Sequence, residues 1–548
     1  MFNLKSIYFY FLALYISIIK FLKKIYFSTN IYNNSLKSKT PKQFYFHPNP
    51  FLLSSITNYK KHSFKISKLD PNVFWIKKDN NWEEKELHSF LWLNLIDRKN
   101  DGKSLQNIID SWIIRYSIYK KNLWENSVLS RRIISWILNA EIILKNGSFY
   151  FKRNFLNSII SQANHLKKNI KFEKSYTKKL EIFTALILTG LVFKEYRNNF
   201  DIGIKELEKL VKTFFDKDGF PFTRNPTDLI FFSKYLMLSR RCIEDAHEYV
   251  PEFLDSTLDD NFMNLKKIMA PNNQTPLFNG GIEIDLEEFN KFLAEKKNAL
   301  KNKKNLIGGI HFFINNKIAL FFEAGEPPKK NFSQSYQSGP LSFEYYLEGS
   351  KIITNCGFGS NISSKAELLS RLTSAQSTLT LNDTSVTKFE RNKLINKIFG
   401  NSIKDTFKIN NYEHIESNRK INFIASHNGY EKEYGCIHKR ELSFDKLENK
   451  LTGTDEIQKR KDGKPISYNL RFHLYPGLTA VKTMSGNSVL IQISKNKSLL
   501  FTVKDESIIL EKSIFLGGNK ILDNTCITVS GNLVNKDKIF HWEIKKNI

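Results

Sequence analysis

Residues 339–355 read GPLSFEYYLEGSKIITN and lead directly into Cys356 and Gly357. Apolar and polar residues alternate on both sides of the step Glu348-Gly349-Ser350. A period of two marks a half-buried strand, and a Glu-Gly-Ser step between two such runs marks a hairpin. The stretch therefore predicts antiparallel sheet. Arg371 follows, and then the run TSAQSTLTLND from Thr373 to Asp383, whose Gln376 leads into a further strand.

Toward the N-terminus the period changes. Leu105, Ile108, Ile109, Trp112 and Tyr116 share one helical face, with Ser104 placed to cap it. Ile133, Ile137, Ala140 and Leu144 make a second stripe, and Phe155, Ile159, Ala163 and Leu166 a third. Leu180 to Phe193 is apolar nearly all round, which predicts an inner helix. Ile204 to Phe215, Leu229 to Leu238 and Leu254 to Met269 continue the series. Successive helices with short connections pack antiparallel. Periodicity alone leaves open whether they close into a ring or stack as a solenoid. Trp112, Trp124 and Trp136 recur here, and helix packing is a commoner use of such residues than sugar stacking.

Residues 291–305 hold six lysines and divide the two regimes. Beyond them, His311–Ile314 and Ile318–Phe322 flank Asn315-Asn316-Lys317, a hairpin turn, and short strands continue to Trp542. The expected organisation is an apolar and basic N-terminal segment at 1–45, a helical domain at 46–290, a basic linker at 291–305 and an all-β domain at 306–548. In the first segment Ile7 to Ile19 is uncharged and is followed by Lys20, Lys23 and Lys24. A spanning helix needs about 20 apolar residues. The run is read as a signal, an anchor or a docked helix, with membrane contact as one of its roles.

The 548 residues carry 83 basic against 55 acidic side chains, a net charge of +28. Such a surface attracts polyanions. No DNA- or RNA-binding motif accompanies the charge, so nucleic acid is not the expected partner. Cys242, Cys356, Cys436 and Cys526 are far apart and form no CxxC, which predicts buried thiols and neither a zinc site nor a disulfide framework. The sequence has no G-x-S-x-G, P-loop, H-E-x-x-H or G-x-G-x-x-G motif.

The stretch from Glu323 to Asp383 resembles the heparinase II/III-like C-terminal domain. Weaker likenesses follow in order: His427-Asn428-Gly429-Tyr430, Gly435 to Arg440, Gly453-Thr454-Asp455, and Arg471 to Pro476. The helical half adds Arg131 to Trp136, Asp218-Gly219 leading to Arg224-Asn225-Pro226, and Leu277 to Gly280. The resemblance implies an (α/α) toroid followed by an antiparallel β-sandwich, with a site in the cleft between them. It implies a lyase that cleaves an acidic, uronate-containing polysaccharide by β-elimination, with no metal or other cofactor in the reaction itself; the expected place is the bacterial cell envelope or periplasm, with a cytoplasmic or membrane-associated place as the alternatives. Such a reaction needs a donor that stabilises the enolate developing at the carboxylate, and Tyr or His side chains that remove and return protons.

The chain departs from that pattern at the proton carriers. Where the family has Ala-His-Ala-Gly, this sequence has Tyr336-Gln337-Ser338-Gly339; where it has Ala-His-Ser-Thr, this sequence has Ala375-Gln376-Ser377-Thr378. Glutamine donates hydrogen bonds but does not shuttle protons near neutral pH. After Asp218-Gly219 no tyrosine occurs until Tyr235. The resemblance therefore assigns substrate binding to Arg224, Asn225, Gln337, Arg371 and Gln376. It leaves Tyr336, His438 and His473 as the available proton carriers. Two readings stand: a lyase with relocated proton carriers, or a degenerate member that binds or processes an anionic envelope glycan.

Overall fold

The computed structural model describes residues 4–57, 74–75, 84–295, 305–461, 464–534 and 536–546. Helices precede Leu306, and no extended strand occurs among the described residues before it. Residues 291–295 end the helix Glu287–Glu295, while the lysines of 296–304 lie outside the described residues.

The helical stripes bury as their spacing predicts. Helix Gly102–Tyr116 buries Leu105, Ile108, Ile109 and Trp112. Its N-cap is Asp101, so Ser104 falls inside the first turn and does not cap it. The stripe from Ile133 to Leu144 is two helices, Asn126–Leu138 and Ala140–Leu144, divided at Asn139. The Asn139 amide donates to the Ser135 carbonyl at 2.9 Å, a local bond that competes with the helical ladder. Helix Tyr176–Val192 is buried on every side from Leu180 to Val192.

Trp112, Trp124 and Trp136 are all buried and pack the helices together. The Trp112 indole donates to His88 Nδ1 at 2.9 Å. Arg132 is fully buried; it donates to Gln162, His88 O and Leu123 O, with its guanidinium 4.2 Å over the Trp112 ring. Arg131 pairs with buried Glu181 at 2.6 Å, and the Tyr235 hydroxyl donates to the same carboxylate. The Arg131–Trp136 motif thus ties one helix to its neighbours.

The strands are β1 (Leu306–Ile307), β2 (Ile310–Ile314), β3 (Ile318–Glu323), β4 (Phe343–Leu347), β5 (Ser350–Thr354), β6 (Leu379–Leu381), β7 (Ile409–Glu416), β8 (Lys420–His427), β9 (Cys436–Asp445), β10 (Lys450–Lys459), β11 (Ile466–Leu474), β12 (Thr479–Lys482), β13 (Ser488–Ser494), β14 (Lys497–Val503), β15 (Ile509–Phe515), β16 (Leu522–Leu533) and β17 (Lys538–Lys546). Among the described residues they form two antiparallel sheets. One runs β1-β2-β3-β4-β5-β11-β16-β15, with β6 also on β11; the other runs β12-β13-β14-β17-β10-β9-β8-β7.

The opening stretch of the sequence is the β4–β5 hairpin. Glu348 and Gly349 both have positive φ, 52° and 79°, as the two central residues of a type I′ turn require. The Glu348 carboxylate meets Lys497 and Lys546, and these bonds hold its pKa down to about 2. Asn315 closes the β2–β3 turn, its side chain accepting from the Lys317 and Ile318 amides.

The inner faces of the two sheets share one core. Phe343 of β4 stacks on Trp542 of β17 at 5.4 Å, and Phe472 of β11 meets the same indole edge-on at 5.0 Å. Gly453 lies directly opposite Trp542 in the β10–β17 ladder, where a Cβ would collide with the indole. β10 alternates buried and half-exposed residues along its length, so one face makes the core.

By contacts the chain divides into two compact units. The β unit also takes in Asp216–Leu229 and Met263–Ile284, two segments that lie among the helices in sequence.

Candidate functional site

The segment Asp216–Leu229 carries Arg224 and Asn225 into the β unit. Arg224 has a φ of 60°, a left-handed conformation that a residue with a Cβ adopts at some cost in energy. From there its guanidinium lies against Gly309 and Gly325, where a Cβ on either glycine would collide with it. Each of its three nitrogens is engaged: Nε donates to Gly308 O at 2.7 Å, one terminal nitrogen to Glu326 O at 2.7 Å, and the other to the Glu323 carboxylate. Both partners of the ion pair are nearly inaccessible. Glu323 is held in turn by the Asn279 amide at 3.0 Å and the Gly325 backbone at 3.2 Å.

Asn225 precedes helix Pro226–Asp245 and accepts from the Thr227 amide at 2.9 Å. It is a helix cap, and it is buried. Its side-chain nitrogen lies beside Gly280, which has a φ of 106°. The Gly280 backbone amide donates to Gln337 Oε1 at 3.0 Å. The other end of the Gln337 amide donates to Gly357 O at 2.9 Å and to Ser370 O at 2.8 Å. Gln376 Nε2 donates to the same Ser370 carbonyl, also at 2.8 Å. Cys356 Sγ lies 4.0 Å from one amide nitrogen and 3.9 Å from the other, and burial pushes its thiol up to about 12.

Arg224, Asn225, Gln337 and Gln376 thus belong to one continuous network. Arg371 adjoins it at the end of the short helix Ser364–Ser370. Its guanidinium is fully buried and donates to the Tyr336, Ser333 and Asn401 carbonyls at 2.8, 2.8 and 2.5 Å. Burial lowers its pKa to about 10. Arg371 does not meet the buried Glu344; that carboxylate pairs with Lys351 at 2.9 Å inside the same unit.

The three proton-carrier candidates are engaged by different partners. Tyr336 is buried, and that burial, with Glu323 nearby, drives its phenol well above the ordinary range. The charges of Arg224 and Arg371 act in the opposite direction and do not offset this. A tyrosine so placed stays protonated at neutral pH.

His473 is buried on β11. Its Nε2 faces the Ser374 carbonyl at 3.1 Å and therefore carries the proton; its Nδ1 accepts from the Ser513 hydroxyl at 3.1 Å. Burial lowers its pKa to about 4.

His438 lies in a chain of buried groups. The Gly429 amide donates to His427 Nδ1, so His427 Nε2 carries the proton and donates to His438 Nδ1 at 3.3 Å. His438 Nε2 then donates to Asp455 at 2.7 Å. Arg440 and the Trp542 indole donate to the same carboxylate. Burial lowers the His438 pKa despite Asp455 beside it, and both imidazoles are neutral in this pattern.

The sequence reading placed no site role on Glu323, Asn279, His427 or Asp455. All four lie inside motifs that carried the resemblance, so their positions were marked but their partners were not. Glu323 ends a strand of buried residues, and a carboxylate closing an apolar run was the available signal.

As an arrangement, the network holds amides and guanidinium groups against protein carbonyls and one carboxylate. These are the donor types that would stabilise an enolate. In this conformation they are engaged by the protein itself.

Comparison with known proteins agrees with this architecture. Residues 302–543 match the Heparinase II/III-like, C-terminal family. A crystal structure of heparinase III aligns over 90% of this chain and 88% of its own, with a TM-score of 0.69 and 14% identity. A crystal structure of a mutant heparan sulfate lyase HepC from Pedobacter heparinus covers 91% of this chain and 82% of its own, with a TM-score of 0.61 and 16% identity. FtsZ-localized protein C of Caulobacter vibrioides is 23% identical over 424 residues, which is 75% of this chain and 72% of that protein. The fold class is an N-terminal (α/α) toroid followed by an antiparallel β-sandwich.

Proposed function

We infer, from the premise that residues 302–543 belong to the heparinase II/III-like C-terminal family, that this chain holds an acidic polysaccharide without cleaving it by elimination. The observation that carries this reading is the engagement of Gln337 and Gln376. Both donate to protein carbonyls, and both stand where the resemblance calls for histidine. Elimination requires a group that removes a proton from a carbon beside a carboxylate. Glutamine does not, and Tyr336, His438 and His473 are each buried with their polar atoms bonded inward or shifted away from useful proton exchange.

Binding draws on a different property. A net charge of +28 favours a polymer of carboxylates or sulfates, and that attraction weakens as salt rises. The reading carries with it a place in the cell envelope, where acidic glycans are found. The fold likeness to lyases favours a second reading, that of a working lyase whose proton carrier becomes available on substrate binding.

One experiment separates them. The purified chain is incubated with a panel of uronate polysaccharides while the absorbance of the unsaturated uronate product is followed, and retention on the same polymers is measured across a salt series. Salt-sensitive retention without growth in absorbance is expected. Growth in absorbance that Tyr336→Phe, His438→Ala or His473→Ala abolishes would establish the lyase reading instead.

A further inference from the structure

Among the described residues, eleven large apolar side chains stand exposed on a single helix, α1 (Leu4–Phe27), with 39–64% of their surface open. They are Ile7, Tyr8, Tyr10, Phe11, Leu14, Tyr15, Ile18, Phe21, Leu22, Ile25 and Tyr26. At about 100° per residue all eleven fall within one arc of about 160°, centred on Ile18. The opposite side holds Ala13, which is fully buried, and the three lysines Lys20, Lys23 and Lys24. The helix is fixed to its own unit on that side and at its C-terminal end. Lys23 Nζ lies over the Phe172 ring, and Phe27 meets Tyr32 at 4.5 Å and His165 at 5.5 Å. The apolar arc is therefore turned outward by the way the helix is held.

An exposed apolar surface of this size marks an interaction site. Charge identifies the partner. The first 69 residues contain eleven lysines and no aspartate or glutamate; the first acidic residue is Asp70. At the density of the whole chain, 55 acids in 548 residues, about seven would be expected there. A second copy of the same helix would set like charge against like charge. A surface that is apolar beneath and negative at its rim satisfies both features.

We propose that α1 docks in the plane of an anionic phospholipid bilayer, its arc of Phe11, Tyr15, Ile18 and Leu22 entering the acyl boundary and the exposed Lys20 and Lys24 extending their long side chains back to the headgroups. An in-plane helix is the geometry expected when one face is apolar and the lysines lie on the other. No helix among the described residues is long and apolar enough to cross a membrane. This surface is distinct from the network around Gln337 and does not depend on it.

The test is co-sedimentation of the full chain with vesicles of phosphatidylcholine alone and of phosphatidylcholine with phosphatidylglycerol, at low and high salt. The wild type is expected to bind the phosphatidylglycerol vesicles and to be released by salt. The quadruple variant Phe11→Ser, Tyr15→Ser, Ile18→Ser, Leu22→Ser is expected to lose at least about tenfold in partitioning with its thermal midpoint unchanged, because these side chains are exposed. Lys20→Gln with Lys24→Gln is expected to lower only the phosphatidylglycerol-dependent part. As an independent readout, Phe11→Cys carrying an environment-sensitive dye should shift to the blue with these vesicles, and the four native cysteines are buried and spared. The proposal is overturned if the wild type ignores phosphatidylglycerol, if the serine variant or the dye reports no difference, or if the serine variant only converts a self-associated form to monomer.

Discussion

Gln337 and Gln376 donate to one and the same carbonyl oxygen, that of Ser370, each at 2.8 Å. Two residues that the family resemblance assigns to substrate are joined here through a backbone group 33 and 6 residues away from them in sequence. This junction makes the first prediction direct.

Gln337→Glu should destabilise the fold by about 2–4 kcal/mol at neutral pH, because a carboxylate would face the Gly357 and Ser370 carbonyls with no donor to offer. The introduced acid is expected to titrate above its unfolded value. Its protonated form is favoured in the fold, so the deficit shrinks below about pH 4.3 and grows as the pH rises through the raised folded value. Thermal midpoints across pH check this. Gln337→Met should lose stability without the pH dependence.

Arg224 and Gly325 should behave as a coupled pair. Arg224→Ala leaves Glu323 buried without its cation and should cost about 3–5 kcal/mol. Gly325→Ala places a Cβ inside the guanidinium and should also destabilise. With Arg224→Ala already present, the added cost of Gly325→Ala should be much smaller. Denaturant unfolding of the four members of the cycle measures the coupling, and simple additivity would contradict the contact.

Asp455 receives His438, Arg440 and the Trp542 indole. Asp455→Asn leaves the buried Arg440 charge without its counterion, and a loss of about 3–5 kcal/mol is expected. In the wild type, desolvation opposes ionisation, but Arg440 and His438 outweigh it and hold this carboxyl at about 2. Its contribution is therefore present above the unfolded value of about 3.9 and fades as the pH falls toward 2. The variant should lose the pH dependence that this group confers over that range.

His473 is held neutral by burial, with its pKa lowered to about 4. The unfolded chain takes up this proton near pH 6.5 and the folded chain only later. Stability is full above that pH and falls as the pH drops toward 4, by up to about 3 kcal/mol for this group. His473→Gln should flatten the acid limb of a plot of unfolding free energy against pH by about one proton's slope. An unchanged slope would mean that the imidazole is not held neutral.

Much of the architecture was legible because it rests on short-range rules. The β4–β5 hairpin follows from the two runs about Glu348-Gly349, although β4 is buried at every residue where the alternation predicted a half-buried strand; the inner helix follows from the unbroken apolar run after Leu180. Ser104 was misread because a capping side chain is only one way to begin a helix; here the chain turns in at Asp101 without a side-chain cap bond. Asn139 divided an apparently continuous stripe because the periodicity of apolar residues is blind to a backbone break between them.

The two periodic regimes, their order, the hairpin turns, the burial of the four cysteines and the absence of histidine at positions 337 and 376 could all be read from the order of residues. Folding in three dimensions was needed to show that Arg224 joins the β unit in a left-handed conformation, that Arg371 is held by three carbonyls, and that His438 ends on Asp455 through a chain from His427. The reason is distance along the chain. Periodicity and turn chemistry act over a few residues, whereas Arg224 meets Gly308 across 84 residues and Gln337 meets Gly280 across 57. Those partners are chosen when buried polar groups must each find a hydrogen bond in the packed interior, and that requirement names no partner until the chain has folded.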